Sequence, residues 1–154
     1  MNKDEYFMMM AIKEAEIAYE KNEVPVGCII VFEGNIIAKA HNQVELLKDA
    51  TAHAEMLALT VASSYMNNFR LLNTTMYTTL EPCIMCAGAI INSRVSRLVY
   101  GAKDIRVGSH GSFINVFEKK HPIHNLEITG GILEENSSNI LKKFFEKQRK
   151  KTKI

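Results

Sequence analysis

Residues 75–92 read TMYTTLEPCIMCAGAIIN, and this stretch decides the fold. Residues 75–80 are β-branched and apolar, the pattern of a strand. Pro82 suits a helix start, where a missing N–H costs nothing. Residues 84–92 are predicted as the helix that follows, and residues 97–100 as the next strand. Outward from there, residues 4–22 form an amphipathic helix with Phe7, Ala11, Ala15 and Ala18 along one face. Residues 26–32 and 36–40 flank Glu33-Gly34-Asn35 and read as a hairpin. Residues 52–66 are helical. Residues 103–125 are irregular, with tight turns expected at Gly108 and Gly111 and a short helix over 113–117. Residues 126–129 make a last strand, broken by Gly130-Gly131, before a helix over 134–151. In that helix Leu141, Phe144, Phe145 and Gln148 fall at helical spacing. The expected fold is α/β: a three-layer αβα sandwich around a mixed five-stranded sheet, largely parallel in its second half.

The same central stretch carries metal-ligand chemistry. Cys83 and Cys86 share a helix face and can grip one ion, and the positive end of the helix dipole favours both thiolates. His53 and Glu55 would lie on different faces in mid-helix, but at a first turn both can reach a site off the helix end. Thr51 is the expected cap of that helix. Structural zinc sites are closed by four protein ligands, whereas catalytic ones keep a position open for water. His53, Cys83 and Cys86 with a spare acid at Glu55 therefore point to hydrolysis. Two thiolates and a neutral imidazole cancel the charge of Zn²⁺, so a general base beside the zinc-bound water is useful, and Glu55 is the candidate. The competing reading is a structural zinc whose fourth ligand is Cys28, His41, His110, His121 or His124.

The pattern H-x-E…P-C-x-x-C is the signature of zinc-dependent nucleobase deaminases. With Glu23-Val24-Pro25-Val26-Gly27, Thr51-Ala52-His53-Ala54-Glu55, Ser93-Arg94, Val99-Tyr100-Gly101-Ala102 and Phe144-Phe145, the chain resembles the bacterial tRNA-specific adenosine deaminases of the cytidine-deaminase-like fold. The resemblance covers roughly residues 4–150. It implies hydrolytic deamination of adenosine to inosine at the anticodon wobble position. It implies one Zn²⁺ per subunit on His53, Cys83 and Cys86, with Glu55 shuttling protons. Asn42 matches an asparagine that contacts the flipped adenine, and Ala54 joins the substrate-binding residues. Arg70, Arg106, Phe145 and Arg149 fall where family members touch the anticodon loop. Val44 and Ile123-His124-Asn125 depart from the family pattern. Family members are homodimers, so a homodimer is implied as well.

Composition bounds these readings. The chain has 154 residues, 47% hydrophobic and 23% charged, as expected of one globular domain spanning 1–154. No run approaches the roughly eighteen apolar residues of a membrane span. Met8-Met9-Met10 sits within a charged amphipathic segment and does not read as a signal peptide. Two of three cysteines belong to the metal motif and Cys28 lies in an apolar run, which fits a reducing cytoplasm. The net charge of +2 hides an asymmetry: residues 142–154 hold seven Lys or Arg against one Glu, a local +6, so the remainder carries −4. A basic tail on a mildly acidic body points to an anionic partner. Basic groups hold phosphates and an aromatic such as Phe145 can stack on a splayed base, so RNA is favoured over a free base. Of the two phenylalanines, Phe144 is expected inward and Phe145 outward. A free-base deaminase and a non-catalytic zinc-stabilised RNA-binding module are the alternatives.

Overall fold

A computed structural model of the chain describes residues 1–152; Lys153 and Ile154, the end of the basic run, lie outside the described residues. The elements are α1 (Lys3–Glu20), β1 (Gly27–Phe32), β2 (Asn35–His41), α2 (Val44–Leu47), α3 (Ala54–Met66), β3 (Thr74–Leu80), α4 (Ile84–Asn92), β4 (Arg97–Ala102), β5 (Glu127–Thr129) and α5 (Glu134–Thr152). They form one five-stranded sheet in the order β2-β1-β3-β4-β5. β1 runs antiparallel to β2 and β3, whereas β3, β4 and β5 are mutually parallel. The expected mixed sheet is therefore present, with helices on both sides.

Side-chain alternation along the strands divides the core in two. Cys28 and Ile30 of β1, Met76 of β3 and Leu98 of β4 face α3 and α4, where they meet Ala54, Ala58, Ala62 and Ile90. Ile29, Val31, Tyr77 and Val99 face the opposite way and meet Phe7, Met8, Ala11 and Ile12 of α1. The alanines let the helices approach closely. At Gly27 the approach is closest: any side chain there would overlap the Ala11 carbonyl oxygen. The hairpin turn places Glu33 and Gly34 at φ 49° and 78° between the paired residues Phe32 and Asn35. Positive φ at both central residues matches the right-handed twist of the strands.

Helix α1 starts with a capping box between Asn2 and Glu5. Its Asp4 then pins the first turn to the sheet. Arg97 donates two hydrogen bonds of 2.8 Å to the two carboxylate oxygens, and the Tyr77 hydroxyl donates a third at 2.8 Å.

Two local expectations are corrected. Residues 113–117 are not helical: Gly111 has φ 107°, the chain reverses, and Gly111 and Val116 N–H donate to Ile114 and Ser109 carbonyls. A bridge between His110 and Asn115 replaces the helix ladder. Thr51 does not cap α3, because that helix begins at Ala54; its hydroxyl donates instead to Asp49 at 2.7 Å. The turn expected at Gly108 is present: its N–H donates to the Asp104 carbonyl at 2.8 Å, and the Glu81 carboxyl group packs against it.

Candidate active site

Two helix starts meet at one edge of the sheet. His53 is the N-cap of α3 and Glu55 lies in its first turn, while Cys83 is the N-cap of α4 and Cys86 lies in its first turn. Pro82 precedes the cap. This resolves the two-residue spacing of His53 and Glu55, since both project off a helix end rather than from its flank. The His53 Nδ1 atom lies 3.7 Å from Cys83 Sγ and 3.4 Å from Cys86 Sγ. Tetrahedral zinc with ordinary Zn–N and Zn–S bonds sets such ligand atoms about 3.6 Å apart. All three candidate ligand atoms lie within 4.8 Å of one another. Among the described residues no fourth His, Cys, Asp or Glu joins the group.

Two thiols and an imidazole crowded together hold their protons unevenly. The hydrogen bond from Cys86, aided by His53 and opposed by burial, pushes the Cys83 thiol down to about 4. Its hydrogen bond to Cys83, with burial, pushes the Cys86 thiol up. The hydrogen bond with Cys83 raises the His53 imidazole against burial. A cation with two spare charges is what such a donor set lacks. The soft thiolate and imidazole atoms fit Zn²⁺, and two helix N-termini add positive potential toward the thiolates.

Glu55 is 4% exposed and is not part of the metal group. Burial lifts its carboxyl above the ordinary carboxylate value, against its own backbone N–H and His53, which lower it. A carboxyl lifted in this way is suited to holding and releasing a proton.

These groups lie in an open cleft of about 1760 Å³. It sits where β3 and β4 end, the edge at which parallel sheets characteristically bind ligands. His53, Ala54, Glu55, Cys83, Asn42, Arg106, Phe145 and Arg149 all line it. Asn42 is held by its Nδ2, which donates to the Val24 carbonyl at 3.2 Å, and by its Oδ1, which accepts from Val44 N–H at 3.4 Å. Phe144 is buried, and Phe145 is half-buried on the cleft side. Arg70 is not brought to the cleft; its guanidinium stands 4.4 Å over the ring of exposed Phe69.

The alternative fourth ligands have other places. Cys28 is buried in the core. His41 Nδ1 is 3.2 Å from Glu14, His110 Nδ1 is 2.8 Å from the Tyr100 hydroxyl, and His124 Nε2 is 2.7 Å from the Val95 carbonyl. The His121 ring accepts from Ile123 N–H at 3.1 Å.

Two buried acids that sequence reasoning passed over organise the cleft walls. Glu23 accepts from the N–H groups of Glu45 and Leu46 at 2.9 and 2.7 Å, anchoring the unforeseen helix α2. Glu81 accepts from the loop after β4. Burial raises its carboxyl, but bonds from the Ser112 hydroxyl and from the His110, Asp104 and Ser112 amides prevail and lower it. Both acids stand in segments already singled out, Glu23-Val24-Pro25 and Leu80-Glu81-Pro82, but nothing at short spacing names their partners.

Residues 1–102 match the family model of the cytidine and deoxycytidylate deaminase zinc-binding region, which puts the protein in the class of zinc-binding deaminases. A tRNA-specific adenosine deaminase of Bacillus subtilis is 45% identical over 153 residues, 99% of this chain and 95% of its own length. A structure solved in work on A-to-I editing by tRNA:A34 deaminases at the wobble position of transfer RNA superposes with a TM-score of 0.85. It is 39% identical, and the match covers 88% of this chain and 99% of that one. A guanine deaminase from Nitrosomonas europaea shares the fold alone, with a TM-score of 0.77 at 23% identity over 94% of this chain and 85% of its own. The chain belongs to the tRNA-specific adenosine deaminase family.

Proposed function

We propose that this chain hydrolytically deaminates adenosine to inosine at the wobble position of a tRNA anticodon loop. The observation that carries the reading is a buried, unligated Glu55 beside a three-ligand metal group at the floor of a cleft of about 1760 Å³. Small-molecule pockets run to about 300–1,000 Å³, so the cleft has room for a loop of nucleic acid. Its rim carries Arg106, Phe145 and Arg149 for phosphates and bases.

His53, Cys83 and Cys86 would hold one Zn²⁺, which when bound supplies a Lewis acid that makes water nucleophilic near neutral pH. Glu55 takes a proton from the attacking water and delivers it to the ring nitrogen beside the attacked carbon. The oxygen joins that carbon, a second proton reaches the exocyclic amine, and ammonia leaves as inosine forms. Asn42, fixed at both ends of its amide, and Ala54 at the start of α3 orient the base. A base must leave its stack to enter, and an anticodon loop presents unpaired bases cheaply.

The reading takes residues 1–154 as one deaminase domain that acts as a homodimer in the cytoplasm. Val61 and Tyr65 stand one turn apart on α3, exposed at 45% and 67%, with Phe69 at 55%; apolar groups of this size favour burial against a second copy. In such a dimer Arg70, beside Phe69, would serve RNA held by the partner. Among the described residues no helix is long and apolar enough to cross a membrane.

The test is a deamination assay on an anticodon stem-loop with adenosine at the wobble position, run beside free adenosine, adenine, guanine and cytidine. Inosine in the stem-loop alone supports the proposal. Ammonia from a free base with an inert stem-loop would move the protein to nucleobase metabolism.

A further inference from the structure

Glu81 is 2% exposed and both of its carboxylate oxygens are occupied. Oε1 accepts from Asp104 N–H at 3.1 Å and from the Ser112 hydroxyl. Oε2 accepts from His110 N–H at 2.8 Å and Ser112 N–H at 3.4 Å. All these donors belong to one segment, residues 104–112. Gly108, in its middle, lies so close to the carboxyl group that any side chain there would overlap it. The segment is stitched onward to the metal motif. Ser109 donates to the Pro82 carbonyl from its N–H at 2.9 Å and its hydroxyl at 2.6 Å, and Gly108 bridges Cys83. On its other side Ile105, Arg106 and Val107 face the cleft.

A carboxylate accepts only, so it can satisfy several converging donors at once. Without it, the part-buried N–H groups of Asp104, His110 and Ser112 would have to find partners elsewhere. We infer that Glu81 is a positioning residue for the substrate: it makes residues 104–112 a fixed wall of the cleft and so sets how tightly the anticodon loop is held. Glu81 acts through Arg106 and its neighbours and takes no part in proton transfer. The inference rests on the tRNA-deaminase reading above.

Glu81→Gln keeps the shape but turns an amide NH₂ toward N–H donors, and Ser112→Ala removes a single donor. The measurements are zinc content, kcat and KM on the wobble-adenosine stem-loop, and hydrogen exchange over residues 104–112. For Glu81→Gln the expected result is unchanged zinc, KM raised about tenfold, and kcat lowered less than about threefold. Exchange protection at Asp104, His110 and Ser112 should fall. Ser112→Ala should shift KM and exchange in the same direction by less. A fall in kcat or in zinc at unchanged KM would overturn the inference, because Glu81 would then serve the metal site. If Glu81→Gln does not fold, an unchanged KM and exchange pattern in Ser112→Ala overturns it equally. If the unaltered protein deaminates no stem-loop, the tRNA reading fails, while the exchange data still decide whether the wall hangs on Glu81.

Discussion

The guanidinium carbon of Arg106 lies 5.7 Å from the centre of the Phe145 ring, joining the loop after β4 to α5 across the mouth of the cleft. A partly exposed cation–π contact is worth about 0.5–1 kcal/mol. Arg106→Ala and Phe145→Leu should each weaken stem-loop binding with little effect on kcat. A double-mutant cycle on thermal stability should show a coupling of about 0.5–1 kcal/mol. Strict additivity would mean the two residues act separately.

Glu55→Gln preserves volume but cannot exchange a proton. Zinc content and thermal midpoint should match the unaltered protein, while turnover falls by at least about 10²–10⁴-fold. Retained deamination would refute the proton-shuttle role.

Cys86 is buried and closes the metal group from α4. Cys86→Ala, or prolonged chelation of the unaltered protein, should remove the metal, lower the thermal midpoint and abolish turnover. Added Zn²⁺ should restore only the chelated sample. Full activity after verified metal removal would defeat the hydrolytic mechanism.

Lys147, Arg149 and Lys150 are exposed on α5, and Arg149 also lines the cleft. Reversing their charges should weaken tRNA binding and flatten its dependence on salt. Each lost phosphate contact lowers the log–log slope by about one. An unchanged slope would place the RNA elsewhere.

Asp4 links α1 to β3 and β4. The Arg97 guanidinium holds its carboxyl below the ordinary aspartate value, with Tyr77 adding to the effect against burial. The folded value is the lower one. The pair's contribution is therefore present above the unfolded carboxyl's value and lost as pH falls through the folded one. Asp4→Asn should cost about 1–3 kcal/mol at neutral pH, and the gap between the two proteins should close as pH falls through the folded carboxyl's value. A gap that persists below that value would show that the carboxylate charge is not its source.

The regular elements were legible because their periodicities are local. The alanine stripe of α1 is buried at Ala11, Ala15 and Ala18, and the strand runs pair as their alternation requires. Phe144 is buried as expected, whereas Phe145 is half-buried rather than outward, and both border the cleft. The segment 113–117 misled because its apolar residues suit a helix, yet Gly111 turns the chain back and strand-like bonds prevail. Helix α2 was invisible because Glu23, more than twenty residues upstream, holds its first amides.

By itself, the sequence determined the α/β class and pointed to the candidate metal group and its neighbouring glutamate, because each rests on residue types at short spacing within a segment, His53 with Glu55 and Cys83 with Cys86. Tertiary structure alone decided that two helix starts converge until His53 Nδ1 lies 3.4 Å from Cys86 Sγ. It also decided that Glu23 and Glu81 anchor separate segments lining one cleft. Such contacts join residues far apart in the chain, and only the packing of helices and loops around a shared sheet brings them within bonding distance.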